Sequence, residues 1–121
     1  MRGLLLVAML IMSAELSAGE VRPFMSGSMA QIEAEHKNQP FILMLWSLTC
    51  AYCPTELKTL GELTRKNPAL NVVLVATDTL DDSQEIAQRL AGYGLDNAEQ
   101  WVFADAMPER LRFEIDRRWY G

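Results

Sequence analysis

The chain has 121 residues, half of them hydrophobic, which is enough for one buried core and too little for two domains. Its 16 acidic side chains against 11 basic ones leave a net charge of −5, so the basic excess that a phosphate backbone demands is missing and nucleic acid is not an expected partner.

Arg2 begins a positive start, Gly3 to Met12 form an unbroken apolar run, and "SAELSAGE" supplies small residues behind it. That order is the pattern of a signal peptide over residues 1–19, cut after Ala18 or Gly19. The run is shorter than the roughly 20 residues that span a bilayer. Two other readings stand beside it: an uncleaved anchor holding the chain to the membrane, and a buried N-terminal helix, which should show a polar face that this run lacks. Export would place the remaining domain, residues 20–121, in the periplasm or outside the cell, where cysteines can cycle through disulfides.

Behind the leader, Ser28 with Gln31 three residues on predicts a capping box and a helix over 29–37, with Met29, Ile32 and His36 on one face. Pro40 stops it. "FILMLWS" reads as a strand buried on both faces in the middle of a parallel sheet. A helix follows the cysteines, with Leu57, Leu60 and Leu63 as its apolar positions and Asn67-Pro68 as its end. "NVVLVATD", Asn71 to Asp78, predicts a second strand. A third helix has Asp81 or Asp82 near its start and Gly92 or Gly94 at its exit. "WVFAD" is a short third strand, with Trp101 and Phe103 in the core, and Pro108 opens a last helix to about Arg117. The Arg110, Arg112, Arg117 and Arg118 run reads as that helix's solvated face. Helix and strand alternate throughout, which predicts an α/β fold with a parallel sheet between two helical layers.

Cys50 and Cys53 lie where the first strand ends and the next helix begins, which puts Cys50 at a helix N-terminus beside unpaired N–H groups. Such sites lower a thiol's pKa from about 8.5 to roughly 3.5–7.5, making Cys50 the candidate attacking sulfur. Cys53, a turn further in and shielded by Pro54, suits the resolving role. Three other readings remain. Zinc wants four ligands, and two thiols plus a distant His36 do not supply them. A structural staple would close a four-residue loop, worth about 2 kcal/mol against about 3 for fifteen residues. Two reduced, incidental cysteines would fit poorly with export.

Trp46, Cys50, Cys53 and Glu56 in W-x-x-x-C-x-x-C-x-x-E spacing, set between the strand "FILMLWS" and a Leu-rich helix, resemble the thioredoxin superfamily, and within it the exported, TlpA-like disulfide reductases. The closing "RLRFEIDRRWYG" is similar to a helix and W-x-G element of that group. The resemblance implies a thioredoxin-like three-layer α/β/α sandwich and a thiol–disulfide oxidoreductase, more readily a reductase. Cys50 and Cys53 would be its redox disulfide, with no organic cofactor or metal. It implies as partners an upstream dithiol donor and oxidised cysteines of extracytoplasmic proteins, including apocytochromes awaiting haem. Tyr52 between the cysteines is then exposed toward a substrate, and Thr49 stands where an aromatic is usual. The acid many relatives bury under the site is absent from "FILMLWS", leaving water or Glu56 to take the Cys53 proton. Trp119-Tyr120-Gly121 falls about where the family's cis-proline loop, two strands and last helix would begin, so a sheet edge should be open. A non-catalytic binding or assembly module on the same fold, or an inactive fragment, is the competing reading.

Overall fold

The computed structural model describes residues 19–119; the proposed signal peptide up to residue 18, and Tyr120 and Gly121, lie outside them. Four strands, β1 Val21–Phe24, β2 Ile42–Trp46, β3 Val72–Ala76 and β4 Glu99–Phe103, form one sheet in the order β1-β4-β3-β2. Every neighbouring pair is parallel, so all four chain exits lie at the same end of the sheet. Helices α1 Ser28–Glu35, α2 Cys53–Lys66, α3 Ser83–Gly92 and α4 Pro108–Ile115 make the connections, giving a mixed α/β domain with helices on both faces.

The alternation of side chains along each strand builds two cores. On one face, Leu74, Ala76 and Val102 meet Leu57 and Leu60 of α2 and Ile86 and Leu90 of α3. On the other, Val73, Val75, Trp101 and Phe103 meet Phe24, Ile32 of α1 and Leu111 of α4. β3 is buried at all five positions because it has a strand on either side and a helix over each face. In α2 the buried stripe is Cys53, Leu57, Leu60 and Gly61, at the i, i+4, i+7, i+8 spacing of a core-facing helix. Gly61 is needed there: a Cβ would run into the Tyr93 carbonyl oxygen beyond α3. Leu63, expected in that stripe, has turned outward and is half exposed.

The structure corrects several expectations. The element order opens with a strand, β1, that the sequence pattern did not announce; it is four residues long, contains Pro23 and lies on an edge, where a missing N–H is tolerated. β2 is the opposite edge, not a central strand: only Trp46 is fully buried, Ile42 is exposed, and no strand pairs its outer side among the described residues. The expected open edge is therefore the strand that leads to the cysteines. Ser28 does not cap α1. Its hydroxyl accepts the Met25 N–H at 2.9 Å, Gly27 with φ 90° takes the cap position, and Glu114 from α4 accepts the Gly27 N–H at 3.0 Å. A carboxylate from another element thus does the work assigned to a local capping box, and Gln31 reaches Glu35 instead.

Smaller shifts concern element ends. α1 stops at Glu35, leaving His36 as its C-cap, and α4 stops at Ile115. Pro108 does sit in the first turn of α4. Before α3, Leu80–Asp82 form a 3-10 turn in which Thr79 and Asp82 make a reciprocal capping box. Gly94, with φ 72°, reverses the chain after α3 so that the Leu95 N–H reaches the Leu90 carbonyl.

Candidate redox site

β2 delivers the chain to the end of the sheet, and the last ladder bond there runs from the Thr77 N–H to the Trp46 carbonyl, 2.9 Å. Beyond it the backbone turns: the Cys50 N–H bonds the Ser47 carbonyl at 3.2 Å, and the Ser47 hydroxyl accepts the Thr49 N–H at 3.3 Å. A serine side chain bonding two residues ahead is a local turn former, which is why the strand stops here. Helix α2 then starts at Cys53 with Tyr52 as N-cap and Pro54 in its first turn.

Cys50 and Cys53 are joined in a disulfide with their Cα atoms 5.4 Å apart. Cys50 is three residues ahead of the helix rather than at its first turn, which corrects the sequence expectation. Proline is favoured just inside a helix start, so Pro54 draws that start forward to Cys53. The disulfide nevertheless ties the Cys50 sulfur to the residue at the positive end of α2. Exposure divides the pair: Cys53 is 5% exposed and part of the apolar core, whereas Cys50 is half-buried and reaches the surface.

The other expected site residues spread around this bond. Tyr52 is 82% exposed and Thr49 is exposed, so the loop's outer face is open. Pro54 and Glu56 lie exposed in the first turn of α2, Glu56 placing its charge near the helix start. Trp46 is buried under the loop in the same apolar cluster as Cys53, and its indole N–H has no partner among the described residues. His36 is not part of this group. It sits at the other end of the sheet, 2.8 Å from Glu99.

Two residues that sequence reasoning passed over hold the loop. Asp78, just past β3, accepts the Leu48 N–H with both carboxylate oxygens, at 3.2 and 3.1 Å. Arg89 of α3 donates to the Leu48 carbonyl at 3.0 Å and is braced by Glu85 at 2.9 Å. Burial pushes the Asp78 carboxyl above its ordinary value of 3.8; the Leu48 N–H opposes this, the Asp82 charge adds to it and Arg89 opposes it. The hint in the sequence was an acid directly after a buried strand, "VATD", at the end of the sheet where the cysteines lie. A cleft of about 910 Å³ between α2 and the end of α3 is lined by Arg65, Tyr93 and Glu99 and includes no residue of the Ser47–Tyr52 loop.

The arrangement can support thiol–disulfide exchange: one accessible sulfur, one shielded sulfur, a helix dipole and a loop fixed from two sides. Comparison with family models, curated proteins and solved structures returns no match. Among the described residues no helix is long and apolar enough to cross a membrane.

Proposed function

We propose that the chain is a thioredoxin-like thiol–disulfide oxidoreductase whose working group is the Cys50–Cys53 disulfide. The observation that carries this reading is the unequal burial of two bonded sulfurs at the start of a helix, at the end of a parallel sheet. A staple made only for strength would gain little from closing so short a loop.

An upstream dithiol first reduces the pair. The Cys50 thiolate, ionised by the nearby amino end of α2, then attacks one sulfur of a substrate cystine. A mixed disulfide forms as the substrate's own S–S bond breaks, and its leaving sulfur takes up a proton. Cys53 loses its proton to water or Glu56 and attacks Cys50, closing the protein disulfide and releasing the second substrate thiol. Two electrons pass from the protein to the substrate in each turn. The exposed Tyr52 and Thr49 leave room for a protein-sized substrate at Cys50. Oxidised cysteines of exported proteins are the substrate class this reading implies.

The test is reduction of insulin with dithiothreitol as donor, together with Cys53→Ser and Cys50→Ser. Turnover by the parent chain and a mixed disulfide accumulating on Cys53→Ser are expected, with Cys50→Ser losing both. Failure of the parent chain to turn over, or a Cys50→Ser protein that still binds a partner unchanged, would move the fold to the binding-module reading.

A further inference from the structure

The peptide group between Ser47 and Leu48 is bonded at both ends. Its N–H points to the Asp78 carboxylate, at 3.1 and 3.2 Å, and its carbonyl accepts the backbone N–H of Cys50 at 3.2 Å. The following peptide is gripped in turn, since the Leu48 carbonyl accepts Arg89. A carboxylate, one peptide group and the Cys50 amide are thus in series, and hydrogen bonds in series polarise one another.

We propose that Asp78 is a positioning residue for Cys50, acting through the Ser47–Leu48 peptide, and that its negative charge holds the Cys50–Cys53 pair toward its reducing end. This rests on reading that pair as a redox pair, and it adds the control of its poise. Two effects of the charge act in the same direction. The ionised carboxylate makes the Ser47 oxygen a stronger acceptor, so the Cys50 N–H stays committed to it and cannot turn to a thiolate. The same charge also opposes a second negative charge at the Cys50 sulfur. A less stable thiolate means a less stable reduced form, and hence a disulfide that forms more readily. The groups facing Asp78 are Asp82 of the 3-10 turn, which shares its sign, and Arg89 of α3, which opposes it. Partial burial keeps the carboxylate from being fully screened by solvent.

The experiment equilibrates the full chain with reduced and oxidised dithiothreitol. Two electrons and two protons pass from the small dithiol to the protein disulfide, leaving Cys50 and Cys53 as thiols and the reagent as its cyclic disulfide. Asp78→Asn keeps an oxygen for the Leu48 N–H and removes the charge. Its equilibrium constant for oxidising dithiothreitol should rise about tenfold, or about 30 mV for two electrons, and the Cys50 thiol should ionise at lower pH. Asp78→Glu, which restores the charge, should return the constant toward the parent value. An unchanged constant in folded Asp78→Asn would overturn the proposal, as would equal shifts in the Asn and Glu variants. Loss of thermal stability alone would mark the contact as structural. Should Asp78→Asn not fold, Asp78→Ser, which keeps an oxygen but no charge, decides by the same constant: a rise relative to the parent supports the proposal, and an unchanged value refutes it. Because this equilibrium needs only the two sulfurs, it can be scored whether or not the chain reduces insulin.

Discussion

At the end of the sheet where the strands begin, Glu99 accepts Arg22 at 3.2 Å, His36 at 2.8 Å and the Trp101 indole N–H at 2.9 Å, while Arg22 also reaches Glu35 and lies 4.0 Å over the Trp101 ring. At the end where the strands finish, Asp78 and Arg89 form no ion pair with each other; Asp78 bonds the backbone of a single loop, and Arg89, braced by Glu85 of its own helix, bonds that same loop. The first cluster joins side chain to side chain across β1, α1 and β4, so its product is rigidity between elements. The second holds a short stretch of main chain in place beside a disulfide, and under the proposal above its product is the position of one sulfur. Similar charged groups in one small domain therefore divide into those that join elements side chain to side chain and those that fix a stretch of main chain beside the disulfide.

The difference can be broken apart by substitution. The largest effect should come from Cys50→Ser, which removes the proposed attacking sulfur and should abolish insulin reduction while leaving the unfolding transition of a dithiol-treated sample nearly unchanged. Glu99→Ala should do the reverse, lowering stability by about 1–3 kcal/mol in urea unfolding, because it strands three donors, with the exchange rate intact. Gly61→Ala should cost about 1–3 kcal/mol as well, through the forced shift at the Tyr93 carbonyl, again with no change in exchange. Glu114→Gln should cost about 1 kcal/mol or less, since it weakens the carboxylate that caps α1 from across the domain.

The smallest effect is a pH dependence. Asp78 has a raised pKa in the folded chain and the ordinary 3.8 when unfolded, so the folded state holds its proton more tightly. Its contribution to stability is complete below the unfolded value and is lost as pH climbs through the folded one. The stability of Asp78→Asn relative to the parent should therefore increase as pH rises from below 3.8 through the raised folded value, followed by urea midpoints at each pH.

Much of the architecture was legible because its signals are local. The β-branched run Val72 to Ala76, the leucines at 57 and 60, Pro108 at a helix start and the alternation of helix with strand all concern residues close in sequence. What escaped depends on partners far along the chain. β2 reads as a central strand because its apolar side chains face the same two helical layers that they would in mid-sheet; only the missing neighbour makes it an edge. Val21–Phe24 is too short and too interrupted by Pro23 to stand out until Gln100 to Phe103 line up beside it. The cap of α1 comes from Glu114, 87 residues beyond Gly27. At the site, the two cysteines were evident from spacing alone, whereas Asp78 and Arg89 become relevant only when three elements converge on Leu48.

The central claim is that Cys50 is the reactive sulfur and Cys53 the shielded one. Its most direct measurement is brief alkylation of the reduced full chain with iodoacetamide over a range of pH, with each modified cysteine located by mass spectrometry. The account predicts that Cys50 is labelled first and that its reactivity rises with a midpoint below the about 8.5 of a free thiol. Labelling of Cys53 first, or of both at the rate and midpoint of a cysteine in an unstructured peptide, would contradict it.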